Sequence, residues 1–332
     1  MPRALVTGAT GLVGSHIVER LLRDGWRVRG LVRTPNPGLE ASGVETLRGD
    51  VLDASSFERA ASGCDVIFHT AAAITPRGGW ESYRRLNVDG TANAIAAAQA
   101  AGARLLQLSS VAVYGSDARY RSGSEKTGED TPLAPLPDKA YYARSKRESE
   151  QLVLTAHAAG RIWATAVRPD VIYGPRDRQF VPRIARLLRT GFAPVIGGGR
   201  STLAIVHAAN VADGAVLAAL NDGAGGRAYN LANDFDVTVR EFFTLGALGL
   251  GRRVRLVPVP LPVASALFQA AMGVIRVASG GQASVLSNAS LSIVTRDNPF
   301  TSDRARRELG WAPAVRPEQG IPEAFRWWTT HH

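Results

Sequence analysis

Through the first half of the chain, short runs rich in β-branched residues alternate with longer, Ala-rich amphipathic stretches. Ala4–Val6, Arg27–Val32, Glu45–Arg48, Asp65–His69, Arg104–Leu108 and Ile162–Val167 read as strands by their β-branched content and flanking turn residues. Leu12–Arg23, Ser55–Ala61, Tyr83–Ala101 and Tyr142–Ala159 read as helices. Strand, helix, strand repeated in this way predicts a parallel α/β sheet covered on both faces. Ligands of such sheets sit beyond the carboxyl ends of the strands, so functional residues are expected just after each strand.

After Pro175 the alternation loosens. Leu203–Ala219, with Ile205-Val206-His207 feeding Asn210-Val211-Ala212, reads as a strand and helix returning to the first unit. Ser116–Lys139 has neither period and carries Pro132, Pro135 and Pro137, which predicts a loop over the site. Leu256–Ile275 is uncharged over 20 residues, but Pro258, Pro260 and Pro262 make its first third extended. The roughly 14 residues left are too short a helix to cross a bilayer, so the segment is expected to wall an apolar pocket or seek a surface rather than span a membrane.

Length and composition narrow the class. At 332 residues, 45% of them hydrophobic, the chain suits one large α/β unit with a second, smaller one. A single cysteine, Cys64, excludes an internal disulfide framework and a Cys-based metal cluster, and a cytoplasmic location is expected. The N-terminus enters its first strand and a glycine turn at once, so no secretory segment is expected. The net charge of +10 comes from arginines scattered along the chain with no nucleic-acid motif, so anionic small ligands are a better match than nucleic acid. His69, His157 and His207 lie in separate elements with no carboxylate at ligand spacing, so satisfied structural histidines are expected and no metal site.

Candidate chemistry follows the strands. Gly8, Gly11 and Gly14 after the first strand, with Thr10, Leu12 and Val13 between them, form a turn that opens a helix and lets backbone approach a pyrophosphate. That arrangement predicts a Rossmann-type, doubly wound fold binding a dinucleotide. Its first unit is expected over residues 1–174 and 203–233, and a smaller, mostly C-terminal substrate unit over 175–202 and 234–332. Asp50 and Val51 after the third strand, and Ala71, Ala72 and Ala73 after the fourth, face the same crevice; the small residues let a flat ring lie against the chain. The second strand ends without the acid expected for an NAD ribose. Arg33, with Arg29 or Arg3 as lesser helpers, is instead placed to meet a 2′-phosphate, so NADP(H) is preferred and NAD(H) remains possible.

Tyr142 and Lys146 are four residues apart on a helix and share a face. Lys126, Lys139 and Lys146 are the only lysines in an arginine-rich chain, and arginine offers charge without a proton relay. Taken in order, Thr7-Gly8-x-x-Gly11-x-x-Gly14, Asn87-Val88-x-Gly90-Thr91, Ser109-Ser110-x-x-Val113-Tyr114-Gly115, Tyr142-x-x-x-Lys146 and Arg168-Pro169-x-x-Ile172-Tyr173-Gly174-Pro175 resemble the extended short-chain dehydrogenase/reductase superfamily over nearly the whole chain. The resemblance implies that Tyr142 is the acid/base, that Lys146 binds the nicotinamide ribose and acidifies the tyrosine, and that Ser110 hydrogen-bonds the substrate oxygen. It further implies that Asn87 supports a water relay behind the lysine, that Pro169 and the backbone after it, including Val171, hold the carboxamide edge of the ring, and that the protein is a homodimer.

The tail Thr295–Trp311 and the apolar stretch before it resemble the 3β-hydroxysteroid dehydrogenase and dihydroflavonol reductase branch. Dehydratases on nucleotide sugars follow the active-site hydroxyl with Asp-Glu; Val111-Ala112 stand here, which disfavours water elimination. The leading expectation is therefore a reversible ketone or aldehyde reductase for an apolar small molecule. A nucleotide-sugar 4-epimerase with retained NAD is the alternative, motivated by the arginines around 176–200; the first three of them, Arg176, Arg178 and Arg183, read equally as a solvated helix face. A non-catalytic dinucleotide sensor is the reading from another class.

Overall fold

The computed structural model describes residues 1–74, 78–115, 126–232, 234–264, 266 and 295–332. Its strands are β1 (Arg3–Thr7), β2 (Arg27–Val32), β3 (Glu45–Arg48), β4 (Val66–His69), β5 (Arg104–Leu108), β6 (Ala164–Pro169), β7 (Val171–Tyr173), β8 (Phe192–Ile196), β9 (Ile205–His207), β10 (Ala228–Leu231) and β11 (Arg255–Val259). Seven of them form one parallel sheet in the order β10-β6-β5-β4-β1-β2-β3. The order reverses between β1 and β4, so a crevice opens above those two strands.

Both faces are covered, as the near-continuous apolar strands require. Val6, Phe68 and Leu106 face helices Leu12–Arg23 and Ala208–Leu220. Leu5, Ile67 and Leu105 face helices Ala54–Ala61, Gly90–Ala101 and Tyr141–Ala158. A third core joins Tyr173, Phe242, Phe325 and Trp328 from β7 and from helices Val239–Gly249 and Pro317–His331, with helix Phe180–Leu188 packed alongside. Trp311 reaches back to the first face and donates its indole N–H to the Asn210 carbonyl at 2.9 Å, so the tail serves both cores.

Three details differ from the sequence pattern. The strand inside Leu203–Ala219 pairs with β7 in a separate two-stranded sheet; only its helix returns to the central sheet, and the seventh central strand is β10, four residues long. The expected continuous helix Tyr83–Ala101 is broken into helix Gly79–Tyr83, a π-helical turn Arg84–Asp89 and helix Gly90–Ala101. The uncharged stretch from Leu256 begins as β11 beside β8, with Val257, Leu261 and Val263 exposed; most of its expected helix lies outside the described residues. Among the described residues, no helix is long and apolar enough to cross a membrane. Of Ser116–Lys139, residues 116–125 lie outside the description, and the rest is a loop pinned by Arg147, whose guanidinium donates to the carbonyls of Val113 and Ala134.

Candidate active site

The glycine turn is built by close packing. Gly8 has φ +69°, and its carbonyl accepts the Gly11 amide at 2.8 Å. A Cβ on Gly14 would lie 2.2 Å from that same carbonyl oxygen, so this glycine lets the helix seat on the turn. Helix Leu12–Arg23 starts with no side-chain cap and no acid in its first turn. The amides of Leu12, Val13 and Gly14 are first-turn donors that the helix cannot use, and they add to the positive end of its dipole. Thr10 and Gly11 are exposed beside them, while the Val13 side chain is buried in the core; Val13 therefore offers only its backbone. A phosphate at this point would find donors and no competing carboxylate, which fits a dinucleotide.

Asp50 closes the turn after β3 by accepting the Leu52 amide at 3.0 Å. Val51 is buried against the helix that follows the π turn: its carbonyl accepts from Asn93 at 2.9 Å and its side chain faces Gly90. Ala71 and Ala72 line the half-buried segment after β4. Arg33 is exposed just past the end of β2 and has no ion-pair partner among the described residues. The suggested helpers are spent elsewhere. Arg29 is buried, donating to the carbonyls of Ala60 and Ser62 and pairing with Glu45 at 3.0 Å. Arg3 begins β1, at the opposite end of the sheet, where its amide is held by Asp65.

On the other side of the crevice, Lys146 is buried and its Nζ donates to the Leu108 carbonyl, the last residue of β5, at 2.7 Å. Burial lowers the ammonium to about 8, with Glu150, one turn on, pulling the other way. An ammonium has three donors, and Leu108 takes one. Tyr142 stands one turn earlier on the same helix, half-buried, its ring edge-on to Tyr83 with centroids 6.5 Å apart. Tyr141 and Trp80 continue this aromatic cluster. Ser110 follows β5 and its Oγ accepts the Ala112 amide at 3.2 Å, which leaves the hydroxyl proton to be given away. Pro169 ends β6, and Val171, half-buried, starts β7.

The π turn explains Asn87. This buried side chain accepts the Ala73 amide at 2.7 Å and donates to the Ala73 carbonyl at 3.0 Å and to Ser145 Oγ at 2.9 Å. It thus ties the segment after β4 to the residue preceding Lys146.

Two motif residues without an assigned role turn out to be partners. Arg168 forms a two-pronged pair with Glu150, at 2.9 and 2.5 Å, and donates to the Tyr114 hydroxyl at 2.7 Å; Tyr114 in turn donates to Asn230. Burial pushes the Tyr114 phenol up to about 12, against the pull of Arg168. Sequence reasoning missed Glu150, although its place one turn after Lys146 was a signal.

Arg176, read from sequence as facing either a substrate phosphate or solvent, is engaged: it forks onto Glu19 at 2.6 and 2.9 Å and reaches the His16 ring at 3.3 Å. Arg178 and Arg183 are exposed. Burial, then Arg176, lowers the His16 pKa. His157 accepts the Ala164 amide, as a structural histidine should, but Nε2 of His69 and of His207 are buried with no hydrogen-bond partner among the described residues. Among those residues, no group of three or more His, Cys, Asp or Glu is arranged to hold a metal ion.

The fold and these positions define an extended short-chain dehydrogenase/reductase. Residues 4–232 match the NAD dependent epimerase/dehydratase family, and the chain belongs to it. It is 32% identical over 322 residues to the 4-hydroxy-2-methyl-3-oxo-4-farnesyl-3,4-dihydroquinoline-1-oxide ketoreductase of Stigmatella aurantiaca, covering 96% of this chain and 94% of that one. It is 29% identical over 344 residues to the 3 beta-hydroxysteroid dehydrogenase/Delta 5→4-isomerase of Mycobacterium tuberculosis, covering 99% and 90%. That likeness bears out the branch to which the tail pointed. Among solved structures, the crystal structure of gox2253 superposes with a TM-score of 0.78 at 29% identity, covering 100% of this chain and 99% of that one.

Proposed function

We propose that the protein is an NAD(P)-dependent reductase that converts a ketone or aldehyde of an apolar small molecule to the alcohol, reversibly, with NADP(H) preferred. The observation that carries the reading is the buried Lys146, one turn after Tyr142 on the same helix and anchored on the carbonyl of Leu108, two residues before Ser110. When bound, the cofactor supplies or accepts hydride at nicotinamide C4. Ser110 donates its free hydroxyl proton to the substrate carbonyl oxygen and orients it. Tyr142 delivers the proton that completes the alcohol, and the neighbouring ammonium stabilises the phenolate left behind. Asn87 holds the segment after β4 against the helix that carries both groups. Leu12, Val13 and Gly14 would hold the pyrophosphate on their amides, and Arg33 would meet the 2′-phosphate. Pro169 and Val171 would hold the carboxamide edge.

The half-buried aromatics Trp80, Tyr83 and Tyr141 beside Tyr142 favour an apolar substrate. The ketoreductase relative, whose substrate carries a farnesyl chain, supports the same class. The engagement of Arg176 by Glu19 removes one of the arginines that motivated a sugar-nucleotide epimerase. In this reading residues 1–174 and 203–233 hold the cofactor, and 175–202 with 234–332 shape the substrate site.

The test is purified protein with NADPH and separately NADH against steroid, flavonoid, acyl and aromatic ketones, following oxidation of the reduced cofactor. Turnover on an apolar class, lost in Tyr142→Phe, is expected. No oxidation above background with any class, or a stoichiometric, tightly retained NAD in fresh protein, refutes the proposal.

A further inference from the structure

Directly under the candidate catalytic residues, a polar layer crosses the sheet where the pattern calls for apolar side chains. Thr7, His69 and Gln107 are register partners on β1, β4 and β5. By the two-residue period they share the face of Leu5, Ile67 and Leu105, beneath the helices that carry Asn87 and Lys146. All three are buried, at 0%, 1% and 2% exposure. Leaving such groups unpaired costs about 1–3 kcal/mol each, so their retention calls for an explanation.

The hydrogen bonds of this layer fix which atoms are left over. Thr91 Oγ1 gives its proton to the Asn87 carbonyl at 2.7 Å, and Ser149 Oγ gives its proton to the Lys146 carbonyl at 3.1 Å. Both hydroxyls can then only accept, so Gln107 must turn its NH2 toward them, at 3.5 Å each, and its Oε1 away. Among the described residues that Oε1 has no partner. On the neighbouring strand, Thr7 Oγ1 accepts the Ala71 amide at 3.3 Å and lies 2.9 Å from His69 Nδ1. The described acceptor for its hydroxyl proton is His69 Nδ1, which puts the imidazole proton on Nε2. His69 Nε2 also has no partner among the described residues. One strand therefore presents an unused donor and the next an unused acceptor. Ser109 Oγ, two residues beyond Gln107, is a third buried polar atom with no partner among the described residues.

We propose that His69, as the Nε2–H tautomer, holds one internal water shared with Gln107 Oε1 and Ser109, and that through this layer His69 acts as a positioning residue for Lys146 and Asn87. A water with two to four protein partners is the usual way buried polar atoms of this kind are satisfied. The connections run from the Ala71 amide through Thr7 and His69 to Gln107, then by two branches to the backbone of Asn87 and of Lys146. The imidazole stays neutral at working pH, since burial, aided by the Lys146 charge, lowers it to about 3. The catalytic half of this inference rests on the reductase reading; the tautomer and the water do not.

The first test needs no turnover. In uniformly 15N-labelled protein without added cofactor, long-range 1H–15N spectra, assigned with His69→Gln, are expected to show His69 protonated on Nε2 only and unchanged down to pH 5, with an exchange cross-peak from that proton to water. The Nδ1–H form, titration above pH 5, or no water cross-peak overturns the proposal. The second test compares His69→Leu, His69→Gln and Gln107→Leu. His69→Leu is expected to lower kcat about tenfold or more while cofactor Kd stays within about threefold, because small misplacements of reacting groups act on kcat. His69→Gln, which keeps a donor and an acceptor, recovers most of it, and Gln107→Leu adds little to His69→Leu in the double variant. Wild-type kcat in His69→Leu, or equal losses in the Leu and Gln variants, overturns the positioning role. A silent wild-type enzyme with the expected spectra would sink the reductase reading and leave the hydration site standing.

Discussion

Replacing Glu150 with glutamine tests how the catalytic helix is held. Glu150 grips Arg168 through two hydrogen bonds, and both side chains are almost fully buried, at 5% and 8% exposure. Removing one partner of such a pair strands the other charge and costs about 3–5 kcal/mol. An amide keeps one acceptor for the guanidinium, so a loss of about 2–4 kcal/mol is expected for Glu150→Gln. Against a total stability of about 5–15 kcal/mol, that is readily measured by urea unfolding followed by circular dichroism at pH 7. Glu150 is also the charge that holds Lys146 up against its burial. Without it the ammonium loses its proton at lower pH, and since the protonated lysine is the working form, the alkaline limb of the reductase profile should move to lower pH than in the wild type. Adding Arg168→Met to Glu150→Gln removes the stranded charge and should restore part of the stability. A loss under about 1 kcal/mol, the scale of an exposed pair, or a limb that moves upward, would refute the reasoning.

Four further outcomes are expected. Because the Lys146 ammonium is lowered by burial from 10.5 to about 8, the folded state holds fewer protons than the unfolded state between those values. Stability should thus rise through that window by up to about 3 kcal/mol, a rise absent in Lys146→Met when unfolding is followed against pH. Arg33→Ala should raise KM for NADPH about tenfold, the loss of about 1.4 kcal/mol from a phosphate contact, with KM for NADH unchanged in steady-state assays. Gly14→Ala places a methyl against the Gly8 carbonyl and should cost about 1–3 kcal/mol in urea unfolding, along with cofactor binding measured by fluorescence titration. Tyr142→Phe should lower kcat by about 10²–10⁴ with little change in cofactor Kd.

Much of the fold was legible because β-strand and helix periods are local. The first six central strands lie within two residues of their expected ends, since each is short and bounded by turn residues. The glycine turn and the Tyr142–Lys146 spacing were legible for the same reason. What escaped depends on contacts distant in sequence. Strand β10 is four residues with no alternation of its own, and it is defined by pairing with β6. The π turn follows from Asn87 bridging Ala73 and Ser145, 14 and 58 residues away. Arg29 and Arg33 look alike on one strand, and only the carbonyls of Ala60 and Ser62 show which of them is free. The sequence reads His69 as a satisfied structural histidine; that its Nε2 lacks a partner among the described residues becomes visible only once its strand neighbours are placed.

Arg176 is the one non-glycine residue with positive φ among the described residues, at 74°. A backbone of that hand costs an arginine about 1–2 kcal/mol, a penalty glycine would escape. The fork onto Glu19, a partly exposed pair worth up to about 1 kcal/mol, offsets part of it, so the bend beyond β7 leans on a carboxylate 157 positions earlier on the first helix. Neither residue can then drift alone: loss of the acid leaves a contorted arginine ungripped, and a relaxed glycine at 176 unfastens the acid. The two sites should be inherited as one character, and laboratory evolution that changes either should find its second step at the other.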